Sequence, residues 1–254
     1  MLTTGYGQEG PFAEKAGHDI NYQALAGSFD TGDGVRPSPL PTTIPVADLV
    51  GGGMFGLSGL LAAVIERQRT GIGRHLDVSM FDGTFALNVF AYAHMQGHMK
   101  RINANGNFLS GNQPFYNLYE TKDGKYMSLG AVEPKFWHNF CVVVGRKNLA
   151  SQQFGGARVL EEVSGLFKQR TQAEWVEHLK DADACCEPVL SLEQAMNSPL
   201  GKSRGVTIQN IEGKNVFTLS IKTVGEKPTK PKPSPKLGGN NSITHGSSQY
   251  FPGQ

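Results

Sequence analysis

The chain has 254 residues with 24 basic and 22 acidic side chains, so its formal charge at pH 7 is close to zero. Because no basic stripe precedes the C-terminal tail, the charge pattern argues against nucleic acid as a partner. The three cysteines include one adjacent pair and no CxxC spacing, which favours a reducing compartment and argues against a zinc site.

The apolar pattern argues against a membrane partner. The longest apolar run, residues 54–65, is too short to span a bilayer and is followed by Glu66 and Arg67. The first residues contain neither the basic nor the apolar region of a secretory signal. We therefore expect a cytoplasmic protein that contacts no membrane.

Over the first hundred residues, loops alternate with helices and one strand. The helix that begins near Gly17 has Ile20, Ala24 and Leu25 on one face. A later helix over 54–69 is apolar nearly all round for three turns, which predicts burial inside a domain. In chain order we expect a loop over 5–17, a helix over 17–29, a loop over 31–45, a helix over 54–69, a strand over 75–80 and a helix over 82–99 capped by Asp82.

A second region begins near residue 101, where a hairpin precedes two helices. The pair Asp123-Gly124 favours a tight turn between two strands. Proline suits the first position of one helix, and a threonine can cap the other. In chain order we expect strands over 116–120 and 125–132, a helix from Pro134 to about 145, a helix over 171–180 capped by Thr171, and from 226 an extended or flexible proline- and lysine-rich segment.

Three ionisable residues stand at the starts of predicted helices: His18, Asp48 and Glu133. Backbone N–H groups are unpaired at such places, so a developing negative charge could be held beside a proton-transfer group. Each residue has a structural alternative, since a lone histidine is often structural and an acidic residue before a helix is often an N-cap. Glycines 51–53 are not required by a cap and would let the backbone approach a ligand closely. The residues alone leave both interpretations open.

Several short segments resemble one known family in the same order along the chain. They cover about residues 3–195, and they match the family III CoA-transferases and, within these, the α-methylacyl-CoA racemases. The segments are Gly-Tyr-Gly-Gln-Glu-Gly-Pro-Phe at 5–12, Ala-Gly-His-Asp-Ile-Asn-Tyr at 16–22, Ala-Asp with its glycines at 47–53, Glu-Arg-Gln-Arg-Thr-Gly-Ile-Gly at 66–73, Pro-Phe-Tyr at 114–116, Gly-Ala-Val-Glu-Pro at 130–134 and Asp-Ala-Cys-Cys-Glu-Pro-Val-Leu at 183–190.

The resemblance implies an α/β fold of the family III CoA-transferase type. Family members carry a nucleotide-fold half before the Gly-Tyr-Gly-Gln loop, so we expect this chain to lack the N-terminal part of the large domain. Residues 1–100 would form the remaining part of the large domain, with His18 and Asp48. Residues 101–195 would form a small α+β domain with Glu133, and residues 196–254 a partly flexible segment that returns toward the large domain.

The resemblance also implies roles for single residues. It assigns the catalytic pair to His18 and Asp48, with Glu133 as a supporting residue, and it implies epimerisation at C2 of a 2-methyl-branched acyl-CoA. One member of the pair would remove the C2 proton, an enolate would form, and the other would return a proton on the opposite face. The N–H groups near Asp19 would stabilise the enolate oxygen. The residues assigned to substrate binding are Asp19, Tyr22, Gly51 and Gly52.

The same resemblance leaves two alternatives open. In the transferase branch, Asp48 would be acylated to a mixed anhydride, through which CoA would be moved between carboxylic acids. The third possibility is an inactive remnant that keeps the site residues but cannot hold CoA. The resemblance implies no metal or redox cofactor, because CoA is part of the substrate, and it implies a homodimer if the fold is complete.

Overall fold

The computed structural model of the chain divides into two compact units, Met1–Pro188 and Val189–Gln254. The predicted domain division at 100/101 and 195/196 stays a prediction. The predicted loop over 31–45 falls largely outside the described residues, as does the proline- and lysine-rich segment from 226. The structure describes residues 1–29, 43–98, 111, 113–209, 213–218 and 221–225.

The N-terminal part of the first unit is built on a two-stranded parallel sheet. Strand β1 (Leu2–Thr4) pairs with β2 (Asp77–Ser79), and Leu2 lies opposite Asp77. The predicted strand over 75–80 is thus confirmed in a shorter form. The loop that follows β1 is joined to the helix that follows β2 by a backbone hydrogen bond from the Phe81 N–H to the Gly5 carbonyl.

The helix predicted from residue 54 begins seven residues earlier than expected. A π-helix spans Ala47–Met54 and continues directly into α2, Phe55–Thr70, which ends at Gly71 in the left-handed conformation. Asp48 therefore lies inside the first turn of the π-helix, and the N-cap is Val46. The N-cap interpretation of Asp48 was wrong for this reason.

The predicted burial of α2 is also wrong within the part of the chain that the structure describes. Leu57, Leu61 and Ile65 are each about half exposed, and Gly56 is the buried residue of this helix. By length and composition, the helical stretch Ala47–Thr70 is long and apolar enough to cross a membrane, which corrects the expectation drawn from the shorter run. Core helices of soluble proteins meet the same criterion, so the absence of a membrane partner stays a prediction.

Helix α1 covers Asp19–Leu25 and stops short of the predicted end at residue 29. Its predicted apolar face was wrong, because Ile20 and Leu25 are exposed while Tyr22 and Gln23 are buried. The buried side of this helix therefore carries Tyr22 and the polar Gln23 instead of the predicted apolar residues.

The helix predicted over 82–99 is two helices, α3 (Met80–Leu87) and α4 (Val89–His98). The cap of α3 is Ser79, whose hydroxyl accepts a hydrogen bond from the Asp82 N–H at 3.1 Å. The prediction of Asp82 as the cap was therefore wrong by three residues. Ser79 is the final residue of β2, so strand and helix follow one another without a loop.

The later part of the first unit contains an antiparallel sheet in the order β3-β4-β5. Strand β3 (Tyr116–Glu120) pairs with β4 (Tyr126–Gly130), which pairs with β5 (Cys186–Pro188). The predicted hairpin is confirmed, and Gly124 has the positive φ of 71° that its turn requires. The sheet packs on helices α5 (Pro134–Val143), α6 (Gly156–Phe167) and α7 (Gln172–Leu179), and a 3-10 turn lies at Lys147–Leu149.

A buried aromatic core joins these elements. Tyr119 stacks on Phe167 with ring centroids 4.8 Å apart, and Phe167 also contacts Trp175 and Phe140. Burying such rings is the main apolar stabilisation of this region. The buried members of this core lie between Phe115 and Ala184, so residues 1–98 contribute none of them.

The second unit is small. It contains helices α8 (Leu192–Asn197) and α9 (Pro199–Arg204), followed by an antiparallel pair of strands, β6 (Thr207–Gln209) and β7 (Asn215–Phe217). Both helices begin with a serine cap, Ser191 and Ser198.

Candidate active site

His18 is the N-cap residue of α1 and is exposed. Its backbone N–H donates to the side-chain oxygen of Asn21 at 3.0 Å, while its carbonyl accepts the Asn21 N–H at 2.8 Å. This reciprocal pair fixes the backbone at His18 and orients the chain as it enters the helix. The side chain therefore projects from a rigid helix start.

Asp48 is exposed in the first turn of the π-helix. π-helical turns are rare and occur frequently at functional sites. Burial raises the pKa of the Tyr22 phenol, and the Tyr6 and Asp48 charges raise it further.

Asp19 connects the two segments. Its Oδ1 accepts hydrogen bonds from the backbone N–H groups of Ala47 at 2.7 Å and Asp48 at 3.1 Å. Its Oδ2 accepts a hydrogen bond from Nε2 of Gln23 at 2.5 Å. The residue that follows His18 is thus bonded directly to the backbone of Asp48, across 29 positions of sequence.

The starts of α1 and the π-helix differ in which backbone N–H groups have no acceptor among the described residues. At the π-helix, Ala47 and Asp48 donate to Asp19, and the Leu49 N–H donates to the Pro45 carbonyl. At α1, the N–H groups of Asp19 and Ile20 donate to no atom of the described residues. A negative charge near this pair of helices would therefore find its donors at α1, beside His18.

Tyr22 has the contacts of a packing residue. Its hydroxyl donates to the Gly17 carbonyl at 2.6 Å, and its ring meets the Tyr6 ring edge-on at 5.0 Å. A Cβ at Gly5 would lie 2.6 Å from the Tyr22 ring, and one at Gly17 would lie 2.8 Å from it. Tyr22 thereby holds the loop before His18 in place, and its assignment to substrate binding stays a prediction.

The glycines that follow Asp48 have protein atoms as neighbours. A Cβ at Gly51 would lie 2.7 Å from the Met80 carbonyl oxygen, and one at Gly52 would lie 3.0 Å from the Met80 side chain. Both glycines are buried, so the structure gives them a packing role against α3. Their assignment to substrate binding stays a prediction, and ligand approach is not needed to explain them.

Glu133 is the N-cap residue of α5, yet its side chain makes no capping hydrogen bond. The helix starts with Pro134, and proline suits the first helical position. Burial raises the pKa of the nearby Cys185 thiol, and the charges of Asp183 and Glu133 raise it further. The Glu133 side chain is exposed and caps no N–H group of its own helix.

The structure thus brings His18, Asp19 and Asp48 together. Among the described residues, no hydrogen bond or ion pair joins Glu133 to His18 or Asp48, so its supporting role stays a prediction. Sequence reasoning missed the bridging role of the Asp19 side chain, because its partners lie on a distant segment. The four-residue spacing from Asp19 to Gln23 was the one local signal. In the described part of the chain, no group of three or more His, Cys, Asp or Glu residues could hold a metal ion.

Comparison with known proteins identifies relatives of this chain. It is similar to alpha-methylacyl-CoA racemase of Mus musculus, with 33% identity over 238 residues that cover 92% of this chain and 59% of that protein. It is also similar to acetyl-CoA:oxalate CoA-transferase of Acetobacter aceti, with 27% identity over 247 residues that cover 91% of this chain and 62% of that protein. The chain thus spans about three fifths of the length of these relatives.

A solved structure shows the same fold. The crystal structure of a CAIB/BAIF family protein from Brucella suis matches with a TM-score of 0.75 and 23% identity, covering 96% of this chain and 66% of that one. The predicted mixed α/β fold of this type is therefore confirmed. A family model described as CoA-transferase family III matches residues 1–241. The chain therefore belongs to CoA-transferase family III.

Proposed function

We propose that His18 and Asp48 catalyse proton transfer at C2 of a 2-methyl-branched acyl-CoA thioester, which epimerises that carbon. The observation that carries the proposal is the bridge from Asp19 to the backbone of Asp48, which keeps two exposed proton-transfer groups on adjoining helix starts. The similarity to an alpha-methylacyl-CoA racemase supports the same chemistry. An imidazole and a carboxylate are suitable as general acid and base near neutral pH.

The thioester makes the C2 proton acidic, and one of the two groups removes it. The electron pair moves onto the thioester oxygen, where the free N–H groups of Asp19 and Ile20 are available to stabilise the enolate. The other group then returns a proton to the opposite face of C2. Losing one donor of such a site typically costs about 10²-fold in rate or more.

The test is deuterium uptake at C2 of a 2-methylacyl-CoA in D₂O, followed by NMR together with inversion of the stereocentre. We expect uptake and inversion with the parent chain, and loss of inversion by about 10²-fold or more in His18→Ala and in Asp48→Ala. Asp82→Ala is the matched control, because Asp82 is another exposed aspartate in the first turn of a helix. A folded chain that gives neither uptake nor inversion contradicts the proposal.

A second candidate is CoA transfer between carboxylic acids, supported by the similarity to the acetyl-CoA:oxalate CoA-transferase and by the exposure of Asp48. In that reaction the Asp48 carboxylate attacks the thioester, forms an anhydride and releases the CoA thiolate. Trapping with hydroxylamine would label Asp48 in the presence of acyl-CoA, and His18→Ala would still transfer CoA. An inactive chain would show neither reaction and no acyl-CoA binding in a titration.

The proposal includes no metal or redox cofactor, because proton transfer next to a thioester requires none. It also includes a homodimeric assembly and a cytoplasmic location. Light scattering on the purified chain would measure the first, and fractionation of cells would measure the second.

A further inference from the structure

The Asp19 carboxylate serves a helix other than its own. An acidic residue in the first turn of a helix is often explained by the helix dipole alone. Here, however, Oδ1 is bonded to two backbone N–H groups at the start of the π-helix, 2.7 Å and 3.1 Å away. The π-helix has Val46 as its N-cap, and this side chain supplies no acceptor.

The orientation of the carboxylate is itself fixed. Oδ2 accepts a hydrogen bond from the Gln23 amide, and Gln23 is one of the few buried polar residues of the described chain, at 4% exposure. A buried amide requires partners, so moving Asp19 would leave it unsatisfied. Both carboxylate oxygens are therefore committed to protein donors.

We infer that Asp19 is a positioning residue that fixes Asp48 relative to His18. The inference rests on the proposed function for its catalytic meaning, whereas the geometry stands without it. His18 is covalently next to Asp19, and Asp48 donates to Asp19 through its backbone. One side chain thereby ties the backbone that carries Asp48 to the helix start that carries His18.

The role of the Asp19 side chain then differs from the substrate binding that the sequence predicts for this residue. Its carboxylate oxygens accept three hydrogen bonds from the protein, so substrate is not needed to explain them, while its backbone N–H stays available to the enolate oxygen. Side chain and backbone of one residue would thus serve separate purposes. A displacement of about 1 Å in a catalytic group can cost about 10²-fold in rate.

The test uses Asp19→Ala and Asp19→Asn, with Asp82→Ala as the control. The alanine variant removes the acceptor, whereas the asparagine variant keeps one side-chain oxygen that can accept both N–H groups. We expect kcat for inversion to fall by about 10²-fold in Asp19→Ala with KM changed by about twofold or less. Asp19→Asn should recover most of this loss, and Asp82→Ala should be unchanged.

A second readout separates positioning from general loss of structure. When Asp48 is misplaced, His18 can still exchange the C2 proton on its own face, so deuterium uptake with retention should persist in Asp19→Ala while inversion is lost. Uptake and inversion that fall together, in proportion to the folded fraction, would overturn the inference. So would an asparagine variant as impaired as the alanine variant.

Amide hydrogen exchange tests the geometry without any activity. We expect the Ala47 and Asp48 amides to be protected in the parent chain and in Asp19→Asn, and to exchange about tenfold faster or more in Asp19→Ala. If the parent chain is inactive but shows this pattern, the proposed function fails while the positioning role is retained. If these amides are unprotected in the parent chain, the positioning role is overturned.

Discussion

The contact between the π-helix and α3 depends on two glycines that face each other. A Cβ added at Gly83 would lie 2.6 Å from Cα of Gly51 and 2.8 Å from its carbonyl carbon, and closest of all to its carbonyl oxygen. These neighbours are backbone atoms, so the methyl group of Gly83→Ala can be accommodated only if the helix that carries Asp48 moves.

The change in the free energy of unfolding of Gly83→Ala follows from two opposing effects. Overpacking in a closely packed contact costs about 1–3 kcal/mol, and backbone neighbours place Gly83→Ala near the upper end. Replacing glycine by alanine inside a helix returns about 0.5–1 kcal/mol. We therefore expect the free energy of unfolding to fall by about 2 kcal/mol.

Gly53→Ala is the matched control, because it lies in the π-helix that contacts Gly83 but its nearest atom, the Asp48 carbonyl oxygen, is 3.4 Å from the added Cβ. This variant should gain about 0.5–1 kcal/mol from the glycine effect alone. Urea unfolding followed by far-UV circular dichroism measures both variants. Equal free energies of unfolding for the two variants would refute the packing argument, whereas reduced inversion at C2 in Gly83→Ala alone would extend it to the site.

Two further predictions concern the aromatic core and its hairpin. Trp137 is fully buried and its Nε1–H donates to the Leu149 carbonyl at 2.9 Å, so Trp137→Phe should cost about 1–3 kcal/mol by leaving this carbonyl unsatisfied, as measured by urea unfolding. An unchanged midpoint of unfolding would show that water replaces the Trp137 donor. The second prediction concerns pH. Hydrogen bonds from the Thr121 hydroxyl and the Gln172 N–H hold the pKa of Asp123 well below its usual value. A carboxyl group whose pKa is lowered by folding stabilises the fold at pH values above its unfolded pKa of about 3.9. This stabilisation is lost as the pH falls through the pKa of the folded state. Thermal melts should therefore show Asp123→Asn most destabilised relative to the parent chain near pH 7, with a difference that shrinks steadily as the pH falls below about 3.9. Parallel profiles would contradict this.

Local signals were sufficient for the hairpin and for two helices. Asp123-Gly124 set the turn, Pro134 began α5, and Thr171 capped α7 as expected, with Glu174 completing a reciprocal capping pair. Each of these signals acts within four residues of the chain, so no distant contact could override it.

Features that depend on distant segments were not accessible from one sequence. The face of α1 is set by where Gln23 meets Asp19 and where Tyr22 meets the preceding loop, and apolar periodicity predicted the opposite face. The family resemblance found His18 and Asp48 as candidates. It did not indicate that a side-chain carboxylate joins them, because that contact exists only once the two helices have packed.

The distribution of aromatic residues has a practical consequence for anyone who measures this protein. The chain contains two tryptophans, Trp137 and Trp175, and both are buried in the core between Phe115 and Ala184. Tryptophan fluorescence therefore monitors this core, and neither His18 nor Asp48 belongs to it. A fluorescence melt could stay sharp while the segment that carries the proposed chemistry has already lost its order, and ligand titrations at that segment require a different optical reporter.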